Sequence, residues 1–184
     1  MLDLFKLHIG CGARLEKGWV NIDVGEPPAS GGDVHYLQHD VRAGLPFAEG
    51  SCSRIYSEHF LEHLTREESL RFLQECHRVL EPVGMMRISV PSLEVLMSMY
   101  TANNLGFAAE VGWLPATACQ LFNEGMRSWG HQFMYDFYEL ERILQEAGFK
   151  EEDIISQRHG NSVYKDMLTE HRPDLGENIV LVFK

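Results

Sequence analysis

The sequence predicts an α/β domain built on a mostly parallel, doubly wound sheet of seven strands. Short apolar runs bounded by Gly and Pro recur along the chain, as expected of strands covered on both faces. Capped segments with helical spacing lie between several of them, and that alternation builds a parallel sheet. A third observation modifies the architecture: the connections after the first two strands are too short or too rich in Pro and Gly for helices, so the first two crossover helices are reduced or absent. The 184 residues make one domain, 1–184.

Taken in order, Lys6 to Ile9 is a short buried strand that stops at Gly10-Cys11-Gly12. Trp19 to Asp23 is the second. Only Ala13 to Gly18 separate the two, whereas a crossover with its helix takes about 10–12 residues or more. Val34 to Leu37 is the third strand, reached through Gly25 to Asp33, a loop holding Pro27, Pro28, Gly31 and Gly32. Arg54 to Tyr56 and Met85 to Val90 are the fourth and fifth, the latter closed by Pro91. Asp153 to Ser156 and Asn178 to Phe183 are the sixth and seventh.

The helices carry their own signals. Thr65 with Glu68 forms a capping box; Leu70, Leu73, Cys76 or His77, and Leu80 follow at helical spacing, and Pro82 and Gly84 end the run. Asp136 with Glu139 repeats the signal before Leu140, Ile143, Leu144 and Ala147, and Gly148 stands where a left-handed C′ residue is wanted. Ser92 to Tyr100 is a third, weaker helix.

Composition narrows the function. Sixteen Lys and Arg against 27 Asp and Glu give a net charge of −11, a poor basis for binding phosphate backbones, so no nucleic-acid partner is expected. No apolar run approaches the roughly 20 residues that span a bilayer, and the start of the chain lacks the pattern of a signal peptide. Cys11, Cys52, Cys76 and Cys119 form no Cys-x-x-Cys pair, and reduced thiols in the cytoplasm are expected.

Three carboxyl-edge positions look chemical. Gly10-Cys11-Gly12 after a strand lets backbone turn tightly and approach a ligand. Leu15 stands where a dinucleotide fingerprint needs its third Gly, so a dinucleotide is disfavoured. Asp23, ending the second strand, can accept hydrogen bonds from both hydroxyls of a ribose. Asp40, after the third, can accept one from an adenine amino group.

These residues resemble a known family. Leu7 to Gly12 is similar to motif I of the class I S-adenosylmethionine-dependent methyltransferases, Asn21-Ile22-Asp23 to their second-strand acidic motif, and His39-Asp40-Val41 to their adenine motif. Leu45-Pro46-Phe47 with Gly50-Ser51, then Ser57 to Leu64, resemble the approach to the fourth strand and the segment after it. Arg78 to Pro82 with Gly84, and Gly130-His131 through Phe149, match later segments in the same order. The likeness is to a small branch with a "GCG…GW.N.D" start, often of unassigned substrate. It implies a Rossmann-like sheet with its last strand antiparallel, and S-adenosylmethionine as cofactor. It implies a cofactor site of His8, Gly10, Cys11, Gly12, Asp23, Val24, Asp40, Val41, Glu58 and His59. Its activity would be methyl transfer to a small molecule. The family usually has an acid where His8 stands, and Arg14 takes its third-glycine position; either another group supplies that acid's charge or the cofactor binds weakly. With the missing helices, these departures motivate a second reading, a non-catalytic cofactor-binding or assembly module that dimerises through an uncovered sheet face.

Residues His59 to His63 also spell H-x-x-E-H, which on one helix would be a zinc-hydrolase motif. The methyltransferase segment accounts for them without a metal, and none is expected. Tyr100 to Gly130, rich in aromatics, has no place in the strand pattern; within it 104–130 reads as a lid over the acceptor. His131 beside it is the candidate catalytic base, because an imidazole titrates near neutrality. Sugars, small acids and amines all fit such a lid.

Overall fold

The computed structural model describes residues 4–29, 34–174 and 176–184. Seven strands form one sheet: β1 (Phe5–Ile9), β2 (Val20–Asp23), β3 (His35–Gln38), β4 (Cys52–Glu58), β5 (Leu80–Pro91), β6 (Ile154–Ser156) and β7 (Glu177–Phe183). Their order is β3-β2-β1-β4-β5-β7-β6. The first five are parallel, and β7 runs antiparallel to both β5 and β6.

No helix lies between β1 and β2, and none among the described residues between β2 and β3; part of the latter loop, 30–33, lies outside them. Helices α1 (Arg66–Val79), α2 (Leu93–Thr101), α3 (Gly106–Glu110), α4 (Ala118–Arg127) and α5 (Phe137–Glu146) follow. At α1 both halves of the Thr65–Glu68 capping box form. At α5 only the Asp136 half does, because the Glu139 carboxylate turns to Arg66 and Arg142 instead. Gly148 adopts the expected left-handed conformation after α5, φ 111°. The Pro82 stop is not needed: α1 ends at Val79 and the chain enters β5 at once, with Pro82 inside the strand.

Register explains the two faces. Ile22, Ile9, Ile88 and Val180 align across the sheet with Ser57, and the main core forms on this side with Phe72, Leu73 and Cys76 of α1 and Leu140, Ile143 and Leu144 of α5. One residue along each strand, Asn21, His8, Tyr56, Arg87 and Leu181 align on the opposite face. The face expected to stand open is covered. The connection from β6 to β7, in its described residues 157–174, lies across it and packs Met167, Tyr164 and Leu168 on Trp19, Tyr56, Met85 and Leu181. Among the described residues, two ion pairs, Arg54–Asp166 at 2.9 Å and Arg87–Glu170 at 2.7 Å, and a hydrogen bond between the His171 ring and Glu58 pin this strap. The bare apolar surface on which self-association was expected is therefore not present there.

His8 sits beneath the strap, 2 % exposed, with Nδ1 3.1 Å from the Asn21 side-chain oxygen. Burial lowers its pKa to about 4. Between pH 6.5 and 4 the unfolded chain binds a proton at this residue that the folded chain refuses, so stability falls as pH falls through that window, by roughly 3 kcal/mol. A His8→Asn variant is expected to show a flatter loss of urea midpoint over the same window than the parent.

Candidate active site

Parallel pairing brings the carboxyl ends of β1 to β5 to one edge, where open α/β sheets bind ligands. There Gly10 and Gly12 have φ of 65° and 52°. A Cβ on Gly10 would lie 2.6 Å from the Phe60 ring, whereas one on Gly12 would meet nothing within 4 Å. The turn is therefore packed beneath and open above. Asp23 latches it: Oδ2 accepts the Gly12 N–H at 2.8 Å and Oδ1 accepts the Gly25 N–H at 3.1 Å. Asp40 caps the turn Val41–Ala43 and chelates the Arg42 guanidinium. Val41 is buried beside it and Val24 is exposed. Cys11 is buried, its thiol pushed up to about 12, first by that burial, so it contributes wall rather than nucleophile.

Glu58 ends β4 on the strap-covered face and is 5 % exposed. Burial pushes its pKa up. The Arg172 N–H and the His171 ring, with the Tyr56 hydroxyl, more than reverse that and hold it below the usual carboxylate value. Arg14 reaches the same carboxylate at 3.5 Å and donates to the Thr169 carbonyl. This strap-to-edge network was not read from the sequence.

A family model described as "Methyltransferase domain" matches residues 16–88, less than half of the chain. No curated protein matches. Among solved structures, a SAM-dependent methyltransferase from Archaeoglobus fulgidus is similar over 100 % of this chain and 87 % of its own, at TM-score 0.59 and 16 % identity. The fold is that of the class I S-adenosylmethionine-dependent methyltransferases. A Burkholderia thailandensis 1,6-didemethyltoxoflavin-N1-methyltransferase, solved with 1,6-didemethyltoxoflavin and S-adenosylhomocysteine, shares that fold at TM-score 0.54 and 18 % identity, over 98 % of this chain and 71 % of its own. Haemonchus contortus phosphoethanolamine N-methyltransferase 2, solved with S-adenosyl-L-methionine, aligns at TM-score 0.56 and 15 % identity over 85 % of this chain and 35 % of its own.

This methyltransferase sheet suits its cofactor at the nucleoside end: an open glycine turn, a carboxylate at the β2 edge with lone pairs beyond its two backbone bonds, and Asp40 and Val41 after β3. At the amino-acid end His8 is paired and buried, and reaches no open surface. Glu58, on the next strand and the same face, is also buried, 5 % exposed, and its carboxylate is taken by Tyr56, His171, Arg172 and Arg14, so the cofactor contact expected of it is closed by the strap.

Beside this edge lies a cavity of about 620 Å3 lined by β4, β5 and α2 termini and by the 104–130 segment. Its walls are apolar, among them Leu96, Met99, Phe107 and Trp113. The segment is held by the Trp113 indole N–H donating to Glu124 at 2.6 Å and by α4 packing on α2. At one end of the cavity His59, Glu62, His63, His131 and Arg172 come together. The backbone causes that meeting: the Glu62 carbonyl accepts the N–H groups of Gln132 and Phe133, which seats residue 131 against 62–63. The His63 and His131 rings meet edge to face at 5.0 Å.

The helical pairing of His59 with His63 does not form. β4 runs on to Glu58, His59 takes φ 49°, and only a single 3-10 turn, Leu61–His63, follows. The His59 ring lies instead between Glu62 at 3.5 Å and Glu177 at 3.2 Å. It also lines the cavity. Glu62, His63, His171 and Arg172 were missed as site residues. A charged Glu inside an otherwise apolar Phe60-Leu61…Leu64 run was the available signal for Glu62.

Proposed function

We propose that the chain is an S-adenosylmethionine-dependent methyltransferase whose small-molecule acceptor sits in the 620 Å3 cavity. The observation that carries the reading is the glycine turn latched to Asp23 at the sheet's carboxyl edge, with the cavity beginning at the next strand end, His59. Gly10, Cys11 and Gly12 would lie along the cofactor, Asp23 would take its ribose, and Val24, Asp40 and Val41 its adenine. When bound, the cofactor supplies an electrophilic methyl group on a sulfonium, lost with its C–S electron pair left on sulfur as the acceptor atom forms the new bond.

The chain's own part is alignment, which can supply most of such a rate, and handling of the acceptor's proton. His131 Nδ1 lies 2.8 Å from the Gly125 carbonyl. A carbonyl only accepts, so Nδ1 carries the proton and the Nε2 lone pair is left to receive one. Burial lowers the pKa of this ring, which keeps it in the neutral form a base needs. The apolar walls and polar end suit an aromatic or amphipathic acceptor with one hydroxyl or amine. No described helix is long and apolar enough to cross a membrane, and the four free thiols suit the reducing cytoplasm.

Incubation with isotopically labelled S-adenosylmethionine and panels of phenols, hydroxy acids, sugars and amines tests the reading. His131→Ala is expected to lower kcat by roughly 10²–10⁴-fold while leaving cofactor affinity unchanged. Cofactor binding without turnover of any acceptor would favour the binding-module reading instead.

A further inference from the structure

The polar end of the cavity holds a feature that methyl transfer alone does not use. Both Glu62 carboxylate oxygens are buried and have no hydrogen-bond partner among the described residues; His59 Nδ1 lies 3.5 Å from one of them. An ionised carboxylate left like this in a buried site is costly. His63 and His131 stand beside it, and one ligand atom from each of the three residues lies within 4.8 Å of the others. His131 is already oriented as a ligand is, with Nδ1–H on the Gly125 carbonyl and Nε2 free. The Gly130 backbone lies against the His63 ring.

We propose that Glu62, His63 and His131 form a binding site for a divalent first-row transition-metal ion at the polar end of the cavity. Two imidazoles and a carboxylate are a donor set that suits zinc or iron rather than calcium or magnesium. Donors around one tetrahedral ion with bonds near 2.1 Å are about 3.4 Å apart, so side-chain rotation of about an ångström closes the site. The ion satisfies the orphaned carboxylate and leaves positions open toward the cavity. An oxygen of the acceptor fills them, a role that rests on the methyl-transfer reading, whereas the site itself does not. In the loaded protein His131 Nε2 is a ligand and no longer a base; the cation lowers the pKa of a bound hydroxyl, whose proton is released to bulk water. The pair His59 and His63 suggested by the H-x-x-E-H spelling is not the ligand pair; His63 and His131 are.

The test uses the full chain, stripped with a chelator and titrated with Co2+ and, in competition, Zn2+, without cofactor. One equivalent is expected to bind, with visible ligand-field bands of four- or five-coordinate Co2+. Glu62→Gln, His63→Ala and His131→Ala are each expected to weaken binding at least tenfold, and the exposed His35→Ala to leave it unchanged. Glu62→Gln keeps the side-chain shape and decides the matter if a histidine variant fails to fold. No saturable binding below about 100 µM, or binding unchanged in the His63→Ala/His131→Ala double variant, would overturn the site. Calorimetry of S-adenosylhomocysteine on the stripped protein reads the cofactor site separately, so either claim can fail alone.

Discussion

Asp23→Ala is expected to weaken S-adenosylhomocysteine binding by about a hundredfold, close to 3 kcal/mol, with the fold intact. Two effects add. The carboxylate would accept two charge-assisted hydrogen bonds from the ribose, each worth about 1.5–3 kcal/mol. It also holds the glycine turn in its open form through the Gly12 N–H, and Gly25 through the other oxygen. Asp23→Asn retains one acceptor and should recover part of the loss. Both N–H groups are at an exposed edge, so water replaces their partner in the variant and stability changes little. Calorimetric titration gives the ratio of dissociation constants, and circular dichroism confirms the fold.

Stability should respond most to the ion pair beneath the strap. Arg87 and Glu170 side chains are both 0 % exposed and pair through Nε and Nη2 at 2.8 and 2.7 Å. Removing either partner strands a buried charge, at a cost of about 3–5 kcal/mol. For a domain of this size that is a fall in Tm of roughly 10 °C. Glu170→Gln and Arg87→Met are each expected to show it in thermal unfolding. The double variant Arg87→Met/Glu170→Leu should lose less than the sum of the two, because neither charge remains. Limited proteolysis of the single variants should cut first within 158–172, where the strap has lost its anchor.

Strap and site differ in how far the sequence foretells them. Strands such as Met85 to Val90 and the helix ends at Thr65 and Gly148 are written in local patterns, apolar runs, caps and a left-handed glycine, so they are legible. So is Asp23, because an acid at a strand end soon after a glycine turn is a local arrangement too. The strap is not. Tyr164, Met167 and Leu168 follow no period, and their partners Trp19, Tyr56 and Met85 are far away in the chain. Its clue was Arg87 itself, a charge inside an apolar central strand, which demands a buried acid without saying where. The polar end of the cavity was not legible for the same reason. The H-x-x-E-H spelling pairs His59 with His63 only on one helix, a reading set aside from the sequence, and no such helix forms: β4 runs on to Glu58 and the positive φ of His59 breaks the helical phase. Backbone bonds from Gln132 and Phe133 to Glu62 then bring in His131 from another part of the chain.

The most direct test of the central claim is amide hydrogen exchange with and without saturating S-adenosylhomocysteine. Peptides covering Gly10 to Gly12, Asp23 to Gly25 and Asp40 to Val41 are expected to exchange more slowly in its presence. Unchanged exchange at that edge, or protection confined to the cavity lined by Leu96, Trp113 and His131, would contradict it.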